Sequence, residues 1–168
     1  MSVTEPTPGP DLGFPGFEDI ARRLHFNPER GRIWLDEQRM VLLHTEALRS
    51  FREELCAVVG EETARSLITR MGYIAGCRDA EFAKKARAGA SLYEAFSVGP
   101  QLHALKGMAE IEMLEFHMDL AHGELWGDFL FKDSFEDSAG AGENMPRAAG
   151  SCWVLVGYAS GGAPTFMG

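Results

Sequence analysis

One histidine lies among apolar residues directly after a Gly-Pro pair, in the stretch FSVGPQLHAL of residues 96–105. Small-ligand pockets combine apolar walls with a few convergent polar groups, and the neutral imidazole of His103 offers one hydrogen-bond donor and one acceptor. Such a group can bind a ligand hydroxyl while aromatic and aliphatic side chains hold a ring. The same pattern also fits a histidine that only completes the core, so the residues alone leave both interpretations open.

No motif of nucleotide or catalytic chemistry accompanies this histidine. The sequence contains no phosphate-binding GxxxxGK[ST], no dinucleotide-binding GxGxxG and no GxSxG nucleophile elbow. The five histidines show neither HxxxH nor HExxH spacing, which disfavours a metallohydrolase. Ser151 and Cys152 lack an oxyanion signature, and the alternating Glu110, Glu112 and Glu115 are typical of the solvated face of a strand. We therefore expect a binding module that is not an enzyme.

The composition indicates an acidic globular protein. Of the 168 residues, 45% are hydrophobic and 24% charged, and the formal net charge is −9. Because nonspecific nucleic-acid affinity comes mostly from Lys and Arg, this charge predicts no direct nucleic-acid contact by this chain. The three cysteines, Cys56, Cys77 and Cys152, are widely spaced and are expected to be reduced thiols.

The first 16 residues are rich in proline and glycine and predict a disordered leader. They have neither the basic region nor the apolar run of a signal peptide. No stretch of the sequence reaches the roughly 18 consecutive apolar residues of a membrane span. We expect a cytoplasmic protein without membrane contact.

Apolar residues at steps of three and four predict two long helices, over residues 37–59 and 61–87, separated by Gly60. Each should face a core with one apolar stripe. In the second helix Gly72 and Gly76 lie four apart on one face, where they either permit a close backbone approach or are merely tolerated. Shorter elements are predicted around these helices: a helix over 17–24, a strand over 31–35 and a helix opened by a capping box at 91–94.

The period then changes to that of a β-hairpin. Residues 111–120 predict a strand with a bulge near Met113–Leu114, and a turn at 122–123 leads into a second strand. Along that strand one face carries the apolar Leu125, Phe129 and Phe131, and the other carries Trp126, Asp128, Leu130 and Lys132.

A Gly/Ala-rich loop over 138–150 precedes a buried helix over 152–160, which the sequence GGAP at 161–164 should stop. Long helices with one small antiparallel sheet make the fold α/β, more specifically α+β, without an internal repeat.

Six blocks of sequence, in this order, resemble the sensory domain of the XylR/DmpR family, the aromatic-responsive activators that work with sigma-54 RNA polymerase. The similarity covers about residues 17–168. The blocks are IWLDEQRM at 33–40, FREE at 51–54, CRDAEFAK at 77–84, GPQLHALKGM at 99–108, DSFE at 133–136 and CWVLVGYASG at 152–161.

The resemblance implies a vinyl-4-reductase-like sensor domain that represses an attached ATPase until an aromatic effector binds. The effector would be a phenol, an alkylphenol, or a hydrocarbon of the benzene, toluene, xylene or biphenyl type. It further implies a homodimer formed through residues 17–60, a ligand pocket within 61–168, and ATPase and DNA-binding domains that are absent from this chain. Two alternatives stay open: an enzyme or enzyme remnant of the same fold, and a dimerisation module without a ligand.

The resemblance also implies roles for individual residues. His103 matches the family histidine that hydrogen-bonds a phenolic hydroxyl, and Phe131 stands where the phenol sensors carry a tryptophan. We expect these two residues to line the pocket together with Phe96, Leu105, Trp126 and Phe129.

Cys152 matches one ligand of a structural zinc in the family. The other ligands, a glutamate and two cysteines, follow a segment that corresponds to residues 166–168, where this sequence ends. Since one thiolate cannot hold a tetrahedral zinc, we expect neither zinc nor another cofactor in this chain.

Overall fold

The computed structural model describes residues 17–119, 121–138 and 152–167. The expected leader, residues 1–16, and all but the first residue of the expected Gly/Ala-rich loop lie outside these residues. The described elements are, in chain order, α1 Phe17–Ala21, β1 Leu24–Asn27, a 3-10 turn Pro28–Arg30, β2 Arg32–Leu35, β3 Gln38–Met40, α2 Thr45–Val59, α3 Glu61–Ala86, α4 Leu92–Phe96, α5 Val98–Leu105, β4 Glu110–Asp119, β5 Glu124–Lys132, α6 Phe135–Ser138 and α7 Trp153–Met167.

The strands form two separate antiparallel sheets, one with the order β1-β2-β3 and one made of β4 and β5. Helices supply the rest of the architecture, which confirms an α+β fold. In the described part of the chain no helix has the length and apolar character needed to cross a lipid bilayer.

The predicted helix over 37–59 is wrong in its first part. Gln38–Met40 is a strand paired with Ile33–Leu35, and the helix begins only at Thr45. The chain reverses at Asp36, whose φ of 48° lies in the left-handed region that Asp tolerates better than most residues. Met40 fitted the three- and four-residue spacing of the predicted helix, but it belongs to β3. The predicted helix over 17–24 is also too long, because Leu24 already belongs to β1.

The long helices α3 and α7 pack with their backbones in close approach. A Cβ added at Gly72 would lie 2.1 Å from the Val154 carbonyl oxygen, and one at Gly76 would lie 2.1 Å from that of Tyr158. On α7, a Cβ added at Gly157 would likewise clash with the Thr69 carbonyl oxygen of α3. The close approach predicted as one reading of the glycine pair is therefore confirmed, and it fixes α7 against α3.

The predicted end of α7 is wrong, because the helix continues through the GGAP sequence to Met167 with Pro164 inside it. A proline inside a helix costs about 3 kcal/mol, so packing must outweigh the local preference. Gly161 packs against the Tyr73 backbone of α3, and its carbonyl accepts hydrogen bonds from the Cys77 thiol and the Thr165 hydroxyl. The glycines that suggested a helix end are the residues that let the helix dock.

Glu136 holds the first turn of α7. Its buried carboxylate accepts hydrogen bonds from the backbone N–H groups of Val154 and Leu155 at 3.0 and 3.1 Å. These are donors that a helix start leaves without internal partners. Burial raises the pKa of Glu136, while the two N–H groups and nearby Arg52 oppose that rise. Glu136 of the DSFE block thus positions the start of α7, although Glu136 and Val154 are 18 residues apart in the sequence.

The apolar stripe of α2 faces a core only in part: Leu55 packs against the cluster around Ala64 and Trp153, whereas much of the stripe is exposed in the described structure. None of its residues is buried, and Phe51 and Val58 are 55% and 79% exposed. Leu67 and Met71 of the predicted α3 stripe are also exposed, whereas Ala64, Ile68 and Phe82 are buried. The expected core stripe is therefore corrected for the exposed residues of α2 and for Leu67 and Met71 of α3, and it holds for Ala64, Ile68 and Phe82.

The capping box and the hairpin are confirmed. The Ser91 hydroxyl accepts from the backbone N–H of Glu94, and the Glu94 carboxylate accepts from the backbone N–H of Ser91. In the hairpin the register shifts between Met113 and Glu115, which places the bulge at Leu114.

Candidate ligand-binding pocket

A cavity of about 230 Å³ lies between the β4–β5 hairpin and the helices α3, α5 and α7. Its wall is almost entirely apolar, and the polar side chains that border it come from three different helices. The lining residues are Gly76, Asp79, Ala80, Ala83, Phe96, Gly99, Pro100, His103, Ile111, Leu125, Gly127, Phe129, Phe131, Tyr158, Ala159, Gly162, Ala163 and Phe166.

Aromatic rings converge on one end of this cavity. The Phe96 ring stacks on Phe116, with centroids 4.4 Å apart, and meets the Phe166 ring edge-on at 5.2 Å. The Phe129 ring completes the group at 6.0 Å from Phe96. Such rings hold an aromatic ligand through apolar contact and edge-to-face packing.

His103 is the polar group that stays available at the other end. Its side chain is buried, with 2% of the residue exposed, and neither ring nitrogen makes a hydrogen bond to any of the described residues. The imidazole meets the Tyr158 ring edge-on at 4.1 Å and lies 6.0 Å from the Phe131 ring. Buried polar atoms without partners are rare in proteins, so this imidazole has hydrogen-bonding capacity that the described residues do not use.

The environment keeps His103 neutral. Burial lowers its pKa to about 4, and the Asp79 carboxylate and the Gly99 carbonyl offset only part of that effect. A neutral imidazole has one N–H donor and one acceptor nitrogen. At neutral pH the cavity therefore offers an uncharged group that can bind a hydroxyl as donor or as acceptor.

Asp79 is a buried carboxylate beside this histidine, and with Tyr158 and Lys106 it forms a group that we call the polar floor of the cavity. Its carboxylate is 98% buried, accepts a hydrogen bond from the Tyr158 hydroxyl at 2.5 Å and forms an ion pair with Lys106. Burial, together with the Asp79 charge, raises the pKa of Tyr158 well above its usual value. The Tyr158 hydroxyl proton is thus used in the hydrogen bond to Asp79. Among the polar side chains of the described wall, the His103 imidazole is the donor that makes no hydrogen bond.

Four of the six expected pocket residues border this one cavity: Phe96, His103, Phe129 and Phe131. Leu105 and Trp126 lie outside it, which corrects their expected place. Two residues after His103, Leu105 points to a different side of α5 and packs on the core. Trp126 lies on the outer face of β5, where it is 50% exposed and stacks on His117 at 5.4 Å.

Sequence reasoning missed Asp79 and Tyr158. Asp79 lies within the buried stripe of α3, and a carboxylate at a core position of a helix is a signal of a buried partner network. Tyr158 lies on α7, in a segment for which the sequence predicts only a buried helix. Its role depends on the register between α7 and α3, which single-helix periodicity does not contain.

The described residues do not fit a structural zinc. Cys152 lies just before α7 and is partly buried. Among residues 17–119, 121–138 and 152–167, no group of three or more His, Cys, Asp or Glu side chains is placed to hold a metal ion. A tetrahedral structural zinc needs four such ligands.

Comparison with protein families gives one match within this architecture. Residues 19–119 match the family model XylR_N, described as "Activator of aromatic catabolism". The matched segment runs from α1 to the end of β4 and includes Phe96, Asp79 and His103.

Curated proteins and solved structures are similar to the chain. The phenol regulator MopR of Acinetobacter guillouiae is 36% identical over 151 residues, 90% of this chain and 27% of MopR. The transcriptional regulatory protein XylR of Pseudomonas putida is 36% identical over 159 residues, 95% of this chain and 28% of XylR. The chain thus spans little more than a quarter of these relatives.

The solved structure is the phenol-responsive sensory domain of the transcription activator PoxR with phenol. It superimposes with a TM-score of 0.80 at 40% identity, covering 90% of this chain and 75% of that one. The similarity therefore extends over nearly all of the fold.

Proposed function

The chain belongs to the XylR_N family of activators of aromatic catabolism, and on this premise we propose that it is an effector-sensing domain that binds a small aromatic compound in the cavity around His103. The observation that carries this proposal is the buried imidazole, without a hydrogen-bond partner among the described residues, at the edge of an apolar, phenylalanine-lined cavity. Two relatives are named for phenol, as a phenol regulator and as a phenol-responsive domain.

The chemistry of the cavity favours an effector with one ring. Pockets for drug-sized ligands have volumes of about 300–1,000 Å³, and this cavity of about 230 Å³ is smaller. Phenol, alkylphenols, toluene and xylenes have the right character, with a hydroxyl, where present, bound to His103. Phe131 supports a preference toward less polar aromatics than phenol, because its ring has no hydrogen-bond donor.

We propose that the domain binds its effector without turnover. Three polar residues of the described cavity wall, Asp79, His103 and Tyr158, are ionisable. Tyr158 donates to Asp79 and not to the imidazole, so the described wall does not pair His103 with a hydroxyl. The alternative is an enzyme or enzyme remnant of the same fold.

The exposed apolar residues of α2 support a homodimer formed through residues 17–60. In the parent regulator, we propose, effector binding relieves repression of an ATPase, and a separate domain contacts DNA in the cytoplasm. For this chain we propose no cofactor, because Cys152 is the single match to the family zinc ligands and no group of three or more His, Cys, Asp or Glu side chains among the described residues is placed to hold a metal ion.

Calorimetric titration with phenol, the cresols, toluene, the xylenes and biphenyl tests the proposal, with chromatography of the mixtures afterwards. Saturable binding of a one-ring aromatic with unchanged ligand is the expected result. Conversion of the ligand would show an enzyme. Absence of binding to every compound would leave only the dimerisation module.

A further inference from the structure

We propose that Gly99 is a specificity-determining residue of this cavity: its missing side chain leaves, beside the His103 imidazole, the space for an aromatic substituent ortho to the group that the imidazole binds. This inference rests on the proposed function of the cavity and adds a position that sets which ring substitution pattern is accepted.

Gly99 and His103 lie on the same face of α5. They are four residues apart, so one turn of helix separates them and their side-chain positions are neighbours. Both residues border the cavity, and the Gly99 backbone lies near enough to the imidazole to raise the His103 pKa, although neither ring nitrogen reaches hydrogen-bond geometry with it. Whatever occupies the space at residue 99 therefore lies next to the atoms bound by the imidazole.

No steric reason requires glycine at this position. A Cβ built at Gly99 has no heavy atom of the described residues within 4 Å, and Gly99 does not have a positive φ. Gly76, on the same cavity wall, differs completely, because its Cβ would lie 2.1 Å from the Tyr158 carbonyl oxygen. Packing of α3 on α7 explains Gly76, whereas the open space at Gly99 is part of the cavity.

The second observation that points to a ligand here is His103 itself. Its imidazole is 98% buried and borders the cavity, and both ring nitrogens lack a partner among the described residues. In the proposed pose the hydroxyl binds this imidazole, and one of the two ortho carbons of the ring faces the same turn of α5. An ortho methyl group on that carbon falls into the space above residue 99, whereas a para methyl group points away from the imidazole.

The test is calorimetric titration of phenol, 2-methylphenol and 4-methylphenol into the parent chain, Gly99→Ala and Gly99→Ser. Both variants fill the same space with side chains of different helix propensity, so a shared effect is steric. We expect unchanged thermal unfolding, little change in Kd for phenol and 4-methylphenol, and a loss of about tenfold for 2-methylphenol, as overpacking implies.

Gly162→Ala is the matched control. It adds the same methyl group to the same cavity from α7, where the nearest atom to the new Cβ is the Gly76 oxygen at 3.9 Å. Gly162 lies one turn beyond Tyr158 toward Phe166, so this variant should not discriminate against 2-methylphenol relative to 4-methylphenol.

Two results would overturn the role of Gly99 while the proposed function stands: equal losses for all three ligands, or no loss for any, in variants that unfold like the parent. Should the parent chain bind none of the three phenols, nor any other aromatic, the proposed function itself fails and the inference fails with it.

Discussion

The Tyr158 ring stands edge-on to the His103 imidazole with centroids 4.1 Å apart, yet its hydroxyl donates to Asp79 and not to His103. This arrangement couples three helices, because Asp79 lies on α3, Tyr158 on α7, and Lys106, the other partner of Asp79, directly after α5. It also separates a satisfied polar network from the His103 imidazole, which borders the cavity.

Tyr158→Phe should destabilise the fold by about 1–3 kcal/mol, because a buried carboxylate loses one of its donors. Urea unfolding at neutral pH measures this change. Tyr73→Phe is the matched control, since Tyr73 is 42% exposed on α3, and its effect should stay within about 0.5 kcal/mol. Equal effects of the two substitutions would mean that the Tyr158–Asp79 hydrogen bond contributes nothing to stability.

The buried neutral histidine predicts a specific loss of stability in acid. The pKa of His103 is lowered from 6.5 to about 4 in the folded chain, so between these values the unfolded state binds a proton that the folded state does not. The free energy of unfolding therefore falls as the pH drops from 6.5 toward 4, by up to roughly 3 kcal/mol from this residue. Above pH 6.5 this contribution is fully present.

Denaturant unfolding at pH 7 and pH 4.5 checks that sign. His103→Leu should lose less stability between the two pH values than the parent chain, because the titrating group is gone. His25→Gln, at an exposed position of β1, should leave the pH dependence of the parent unchanged. A steeper acid loss in His103→Leu than in the parent would contradict a neutral buried imidazole.

Phe131→Trp should shift preference toward phenol. The Phe131 ring lies 6.0 Å from the imidazole on the same cavity, and an indole adds an N–H donor there. One added hydrogen bond corresponds to about 1 kcal/mol, so the ratio of phenol to toluene affinity should rise roughly fivefold. Bulkier aromatics should bind more weakly, since the wall gains volume.

Titration of phenol, toluene and 3,5-xylenol measures these shifts, with Trp126→Phe as the control on the outer face of the same strand. That control should leave every affinity as in the parent. An unchanged phenol-to-toluene ratio in Phe131→Trp would place residue 131 outside the binding site.

Gly76→Ala should strongly destabilise the domain, because the new Cβ would lie 2.1 Å from the Tyr158 carbonyl oxygen and α7 would have to move. Overpacking of a tight contact costs about 1–3 kcal/mol, occasionally more. Gly162→Ala, whose Cβ meets its nearest atom at 3.9 Å, should leave the unfolding temperature nearly unchanged. Thermal unfolding compares the two, and equal temperatures would rule out the close packing of α3 on α7.

Local periodicity predicted the parts of the site whose geometry is local. The alternation along β5 placed Phe129 and Phe131 on one face, and the glycine spacing in α3 predicted a possible close approach. The same alternation predicted Trp126 on the opposite face of β5. The expectation that Trp126 lines the pocket was therefore inconsistent with the alternation.

What the pattern did not predict depends on tertiary packing. A Gly-Pro pair is typical of a turn, yet Pro100 lies in the first turn of α5, where a missing N–H costs no helical hydrogen bond. α7 continues past Pro164 because its glycines dock on α3. Asp79 reaches Tyr158 only through that docking, so the polar floor of the cavity could not be derived from single-element spacing.

The central claim is that His103 is the polar anchor of an aromatic ligand, and the most direct test is titration of phenol and toluene into His103→Ala beside the parent chain. Losing a buried hydrogen bond of about 0.5–1.5 kcal/mol should weaken phenol roughly 3- to 12-fold. Toluene, which has no hydroxyl, should bind within about twofold of the parent. Equal losses for phenol and toluene would contradict the claim.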